Sequence, residues 1–309
     1  MQNIHTIMKI LKVGIIGYGN IGSAVANELK NNKNFELVGV FSRRNLPNTL
    51  PFEQIENFKD KIDLMFLCVG SQSDLEQVAT RVIKNFNTID CYDNHARLKQ
   101  YINAQNTLAI KHKKVALCAL GWDPGIFSFM RALFESLGET AFTFWGKGLS
   151  QGHTQAIKNL PHVLDAVQFT IPNKKAIKDL KEGVILEQGK NLHKRQCFVV
   201  CELGYEKEIK KKIISMPDYF EGYKTTVKFL TKTELDKIKT FAHKGVVMTP
   251  GNTMQFNLNL DSNPAFTARA LVSFASAVEK LIATKSYGAY TILDLPLNLI
   301  LSKEKFNYI

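Results

Sequence analysis

No stretch of this 309-residue chain approaches the roughly 18 uninterrupted apolar residues that a membrane-crossing helix needs. The apolar stretch within Met1 to Leu11 is also too short for a secretory signal. These absences predict a cytoplasmic protein with no membrane partner. Cysteine is sparse: five residues (Cys68, Cys91, Cys118, Cys197 and Cys201), an odd number with no C-x-x-C pair, which excludes a disulfide framework and suits buried thiols in a reducing compartment. Arginine is sparser than the formal charge of +12 suggests, supplying only seven of the 40 basic residues. No nucleic-acid motif accompanies the lysines, and Lys210-Lys211-Lys212 reads as one solvent-facing helix stripe, so a nucleic-acid partner is not expected. The positive field suits small anionic ligands instead. His193, Cys197 and Cys201 would share a helix face, but the stretch 196–202 is rich in strand formers and a fourth ligand is missing, so no metal is expected. Internal repeats and low-complexity linkers are absent as well.

What is present starts with Gly17-Tyr18-Gly19-Asn20-Ile21-Gly22, which follows the apolar run 13–16 and opens into the small-residue helix Ser23-Ala24-Val25-Ala26. Strand, glycine turn and helix in that order make a seat for a pyrophosphate: the turn brings backbone close to the phosphates, and free N–H groups at the helix start bind them. A second strand, 35–41, ends where an NAD enzyme usually places an acidic ribose ligand, and here reads Ser42-Arg43-Arg44. A hydroxyl and two guanidiniums suit the 2′-phosphate of NADP, although exposed arginines are also common on any surface.

Strands and helices then alternate: strand 62–70, helix 75–85 with a capping box from Ser73 to Glu76, strand 88–92, helix 96–111 and strand 115–120. This rhythm predicts an α/β fold, a Rossmann-type doubly wound parallel sheet with ligands at the carboxyl ends of its strands. At those ends lie Gly70-Ser71, Asp93-Asn94-His95 and Gly121-Trp122-Asp123-Pro124-Gly125. Asp93 and Asp123 therefore belong at neighbouring strand ends, beside the cofactor, where paired carboxylates suit acid–base work or the binding of a cation. The plainer roles are a helix cap for Asp93 and a turn for Asp123. Beyond Gly125 the pattern shifts to α+β, with strand-like runs at 141–145, 167–171, 196–202, 224–230 and 254–260 and a helix at 205–214, predicting a second domain that supplies substrate contacts. The expected boundaries are 1–121 for the dinucleotide-binding domain, with a C-terminal return at 264–309, and 122–263 for the second domain. Arg195 precedes a β-rich run and offers a planar fork to a carboxylate, whereas Lys194 would face solvent. Trp122 and Trp145 suit either packing or a ligand-lining role, and His153 suits a local hydrogen bond or the placement of a water.

With these residues in view, the chain resembles the meso-diaminopimelate D-dehydrogenase family. The similarity is carried by G-Y-G-N-I-G (17–22), F-S-R-R (41–44), C-V-G-S (68–71), Y-D-N-H (92–95), G-W-D-P-G (121–125), F-W-G-K-G-L-S-Q-G-H (144–153), Q-F-T-I-P (168–172), H-K-R-Q-C-F-V-V (193–200), M-P-D-Y-F-E-G-Y (216–223) and N-P-A-F-T-A (263–268). It runs in order over nearly the whole chain, with several extra residues before the first strand and a shorter stretch between His243 and Asn263. The resemblance implies NADP-dependent oxidative deamination of the D-centre of meso-2,6-diaminopimelate to L-2-amino-6-oxopimelate and ammonia, reversible in lysine and cell-wall precursor synthesis, by a homodimer whose domains close on substrate. It places Asp93, Asp123, Gln151 and Gly152 at the D-amino-acid end and Thr170, Arg195, His243 and Asn263 at the distal L-end, with Trp122 and Trp145 beside them. NADP would be held by 17–22 (Gly17, Tyr18, Gly19, Asn20, Ile21, Gly22), Ser42, Arg43, Arg44, Cys68, Gly70, Ser71, Asp93, Asn94, His95, Pro124 and Gly125. Other readings are a semialdehyde or dihydrodipicolinate reductase and a dinucleotide-sensing regulator. Against them stand Cys118 in an apolar run rather than a nucleophile's polar loop, the lack of a paired-histidine signature, and the lack of a recognition helix.

Overall fold

Apolar residues dominate Leu11–Ile16 (β1), of which all but Lys12 are buried, as expected of a strand covered on both faces. The computed structural model describes residues 10–71, 74–238, 240, 242–301 and 305–309. After β1 come α1 (Asn20–Lys30), β2 (Phe35–Ser42), β3 (Leu50–Pro51), β4 (Leu64–Leu67), α2 (Leu75–Val82), β5 (Asn87–Asp90), α3 (Leu98–His112), β6 (Val115–Leu117) and α4 (Ile126–Ser136). Then follow β7 (Phe142–Trp145), β8 (Gly148–Leu149), α5 (Gln151–Lys158), β9 (Val163–Pro172), α6 (Lys174–Lys181), β10 (His193–Cys201), α7 (Glu206–Ile214), β11 (Lys224–Phe229), α8 (Lys232–Ile238), β12 (His243–Met248), β13 (Gln255–Leu260), α9 (Asn263–Ala283) and β14 (Gly288–Tyr290).

The chain divides into two units, one made of the described residues up to Ser128 and from Pro264 onward, the other of Phe129–Asn263. In the first, seven strands form a sheet in the order β14-β6-β5-β4-β1-β2-β3, with every pairing parallel. This is the doubly wound sheet that the alternating pattern predicts. Strand order reverses at β1 and β4, the place where such sheets bind ligands beyond their carboxyl ends. Its core gathers Ile16, Phe41, Met65, Leu67 and Tyr92. The second unit holds a sheet in the order β11-β10-β9-β8 and a three-stranded sheet β13-β12-β7. Antiparallel pairs prevail there, in keeping with the α+β expectation.

Several elements differ from their sequence forecast. The apolar run 62–70 yields a strand only over Leu64–Leu67, because Cys68 onward turns away as the loop at the strand's end. Likewise β6 stops at Leu117, and Ala119 takes a left-handed φ of 57°. Ser73, forecast as a cap, lies outside the described residues; Glu76 accepts from the Tyr92 hydroxyl at 2.6 Å and Arg97 at 2.8 Å. His193, Cys197 and Cys201 sit on a strand, whose period of two still puts them on one face. Among the described residues no group of three His, Cys, Asp or Glu side chains is placed to hold a metal ion, and no helix is long and apolar enough to cross a membrane.

Candidate active site

The glycine loop shows which of its members the protein itself requires. A Cβ on Gly22 would fall 1.9 Å from the Gly17 carbonyl oxygen, and one on Gly17, whose φ is +92°, would fall 2.6 Å from that of Cys68. Those two glycines are dictated by close backbone packing. At Gly19 a Cβ would meet nothing within 4 Å, so the protein's own packing leaves that side open to an approaching ligand. Helix α1 begins at the next residue with no side-chain cap on its first N–H groups and no acidic residue in its first turn. Unsatisfied donors at the positive end of a helix dipole bind anions, so this cradle fits a dinucleotide pyrophosphate.

Beside it an open depression of about 580 Å³ is lined by Tyr18, Gly19, Asn20, Ser23, Arg44, Leu46, Pro47 and Asn48. The buried Ser42 hydroxyl accepts the Arg44 N–H at 3.0 Å, fixing the turn after β2. The two arginines forecast here behave differently. Arg44 lines the depression, whereas the Arg43 guanidinium forms a two-point ion pair with Asp74 at 2.6 and 3.2 Å. That partner raises the Arg43 pKa above its ordinary value. Cys68, at the end of β4, donates its N–H to Ile16, and burial pushes its thiol to about 12, which leaves it unreactive.

Strands β4, β5 and β6 are neighbours, so the loops bearing Ser71, Asp93 and Asp123 emerge side by side. The Asp93 N–H donates to the Ser71 hydroxyl at 3.2 Å, tying the first two together. Desolvation raises the Asp93 carboxyl above the usual range, opposed by a hydrogen bond from Ser71 and the charge of His95. Its side chain keeps contact with water, which limits that rise. Asn94 accepts from the Arg97 N–H, and His95 is exposed. Asp123 is half-buried within the turn that Gly121 and Gly125 close, Pro124 is buried, and Trp122 packs edge-on to Phe127 at 5.2 Å.

In the second unit, register does the positioning. Arg195 stands opposite Thr170 across β10 and β9, and Thr170 opposite Gly148 across β9 and β8. Arg195 is only 6% exposed and donates from Nη1 to the Thr170 hydroxyl at 2.6 Å. Its guanidinium lies 4.1 Å from the Tyr223 ring centroid. Among the described residues Arg195 Nε has no hydrogen-bond partner. Desolvation lowers the Arg195 pKa, with Tyr223 opposing. A buried fork with a spare N–H is a receptor for a carboxylate. His243 is also buried, its Nδ1–H donating to the Lys244 carbonyl at 2.9 Å, and burial lowers its pKa to about 4. A Cβ on Gly148 would lie 2.2 Å from the His243 ring, so only glycine permits that contact.

Trp145 rests 4.7 Å from the His193 ring, and its N–H donates to His193 Nε2 at 2.8 Å. Burial holds His193 near a pKa of 3, hence neutral and accepting. Gln151 and Gly152 occupy the first turn of α5, whose cap Ser150 bonds its hydroxyl to His153 Nδ1 at 2.8 Å. Thr170, Arg195, Gly148 and His243 are thus brought together, while Gln151, Gly152 and Asn263, the first residue of α9, lie on other elements. Sequence reasoning did not single out Tyr223 or the Leu46-Pro47-Asn48 wall. Tyr223 stood within the motif 216–223, but its guanidinium contact is visible only across strands.

A family model, the diaminopimelic acid dehydrogenase C-terminal domain, matches residues 121–262. The chain is 40% identical to the meso-diaminopimelate D-dehydrogenase of Ureibacillus thermosphaericus, covering 96% of this chain and 97% of that one. Among solved structures it superposes on a C. glutamicum DAP dehydrogenase in complex with DAP with a TM-score of 0.92, at 34% identity, over 97% of this chain and 98% of that one. An engineered D-amino acid dehydrogenase bound to NADP+ gives a TM-score of 0.90 at 33% identity, over 96% and 98% of the two chains.

Proposed function

The chain belongs to the meso-diaminopimelate D-dehydrogenase family, and on that premise we propose that it catalyses NADP-dependent oxidative deamination of the D-centre of meso-2,6-diaminopimelate. The products are L-2-amino-6-oxopimelate and ammonia, and the reaction is reversible, serving lysine and peptidoglycan precursor synthesis. The observation that carries this reading is the pairing of an open, uncapped glycine–helix cradle with two aspartates at adjacent strand ends.

Bound NADP+ supplies the hydride acceptor. Gly17 to Gly22, with the α1 N-terminus, would hold its pyrophosphate, and Ser42, Arg43 and Arg44 its 2′-phosphate, while Cys68, Gly70, Ser71, Asp93, Asn94, His95, Pro124 and Gly125, on the loops after β4, β5 and β6, would complete its contacts. Asp93 and Asp123 anchor the substrate ammonium and stabilise the positive charge of the substrate iminium as the hydride leaves its carbon. A proton passes from the amine to a carboxylate or through a water, and an oriented water then hydrolyses the imine. Thr170, Arg195 and His243 hold the distal L-centre, Arg195 offering its fork to the carboxylate. Trp122, Trp145, Gln151, Gly152 and Asn263 complete the substrate contacts in this reading. It also includes division into a dinucleotide-binding part, 1–121 with 264–309, and a substrate-binding and dimerisation part, 122–263. A homodimer completes it, with a cytoplasmic location that five free cysteines suit.

Deuterium at the D-centre provides the test. Incubated with NADP+ and enzyme, meso-diaminopimelate labelled only at that carbon should yield reduced cofactor carrying deuterium at nicotinamide C4, seen by proton NMR. Reduced cofactor free of deuterium would overturn the reading.

A further inference from the structure

Beneath the two aspartate-bearing loops lies a third acid, Asp90, at the end of β5 and 1% exposed. One of its oxygens, Oδ1, accepts two backbone N–H groups, from Tyr92 and from Ala119, both at 2.9 Å. The other, Oδ2, accepts the Tyr101 hydroxyl at 2.5 Å. The Asp90 backbone carbonyl also accepts the Leu120 N–H at 2.9 Å. Tyr92 directly precedes Asp93, and Ala119 stands four residues before Asp123, so a single oxygen joins the roots of both loops.

The Ala119 backbone is the telling detail. Its φ of 57° is a left-handed conformation that is disfavoured for any residue bearing a Cβ. The conformation directs the Ala119 N–H into the Asp90 carboxylate. Burial raises the Asp90 pKa, and the bonds from Ala119, Tyr101 and Tyr92 oppose the rise. No cation contacts the carboxylate among its described hydrogen bonds; its partners are the two loop amides, the Tyr101 hydroxyl of α3 and the Cys118 thiol. Tyr101 stacks on Tyr92 at 4.1 Å between ring centroids and closes the cluster from the side.

We infer that Asp90 is a positioning residue for the reaction: its Oδ1 clamps the loops after β5 and β6 and thereby sets the spacing of the Asp93 and Asp123 carboxylates. This rests on the roles assigned to those two aspartates above. Reacting groups displaced by about 1 Å lose on the order of a hundredfold in rate, so a loosened clamp registers in chemistry before it registers in the fold.

The experiment compares Asp90→Ala, Asp90→Asn and Tyr101→Phe with the parent, reading kcat for meso-diaminopimelate with NADP+, the deuterium isotope effect on kcat at the D-centre, and hydrogen exchange of the 91–97 and 118–126 segments. Asp90→Ala should lose about thirtyfold or more in kcat. Asp90→Asn, an isostere that keeps one oxygen for the two amides but loses charge assistance, should fold and lose about three- to tenfold. In both, exchange should quicken in the two loops and the isotope effect should rise as hydride transfer becomes slower. Tyr101→Phe keeps both backbone bonds and should lower the melting temperature while leaving kcat within about twofold. Parental kcat in Asp90→Asn despite faster exchange in both loops would overturn the inference, and so would an equal loss of kcat in Tyr101→Phe. No turnover by the parent would instead overturn the proposed reaction, which separates the two failures.

Discussion

Replacing Arg195 with methionine removes a buried cation while keeping the volume of its stem, and the expected loss is one of binding. The parent side chain is 6% exposed, its Nη1 is committed to Thr170, and its Nε lacks a partner among the described residues. In the proposed reading a distal substrate carboxylate would satisfy that orphan and pair with a guanidinium whose charge burial already disfavours. Such a pair contributes about 2–4 kcal/mol, or roughly thirty- to a thousandfold in affinity. The contact exists in ground and transition states alike, so KM for meso-diaminopimelate should rise far more than kcat falls. Lysine should not rescue the variant, because an ammonium cannot present two parallel donors or stack on Tyr223 at the 4.1 Å seen for the guanidinium. D-Alanine has no distal carboxylate, so it should be a poor substrate for the parent and Arg195→Met should discriminate against it less. The assay is kcat/KM for both amino acids on both proteins. An unchanged ratio in a folded variant would refute the reasoning and make Arg195 part of a structural cluster with Thr170 and Tyr223.

Arg44→Ala should raise KM for NADP+ by about tenfold or more, the loss of one charge-assisted contact of roughly 1.5–3 kcal/mol, and scarcely alter KM for NAD+. Arg43→Ala should raise it less, because that guanidinium is 55% exposed and shared with Asp74; steady-state kinetics with both cofactors checks the pair. Asp123→Asn should chiefly lower kcat, since its charge matters most as the iminium forms, and a fully active variant would leave Asp123 as turn chemistry alone. His193 and His243, held near pKa 3 and 4, bind a proton more readily when unfolded, so stability should be complete above about pH 6.5 and fall as pH drops toward 4. Melting temperatures between pH 8 and 4.5 should show that decline, and His193→Gln should flatten it.

The parallel sheet was legible because its signals are local. A glycine turn sits between an apolar run and a helix, and continuous apolar stretches alternate with amphipathic ones. The carboxyl-end placement of Asp93 and Asp123 followed from that rhythm alone. Strand β12 was not legible: His243–Met248 is short, begins with charged and small residues, and owes its state to pairing with β7 and β13. The same holds for β14, three residues recruited by β6. Side-chain commitments were hidden for a similar reason. The partner of Arg43 lies 31 residues away in Asp74, and that of His193 is the backbone N–H of Trp145, 48 residues earlier. Asp90 falls inside the strand forecast at 88–92 and closes β5 only in the structure. Its two amide partners converge only because β5 and β6 are neighbours in the sheet.

The central claim is that the chain oxidises one stereocentre of one dicarboxylic diamine with one cofactor. Formation of reduced nicotinamide, followed by its near-ultraviolet absorbance with purified protein, tests it most directly when meso- and L,L-diaminopimelate are each paired with NADP+ and NAD+. Rapid reduction of NADP+ with the meso isomer, little with the L,L isomer, and a marked preference for NADP+ over NAD+ are expected. No reduction with the meso isomer, or equal rates with both isomers, would contradict the claim.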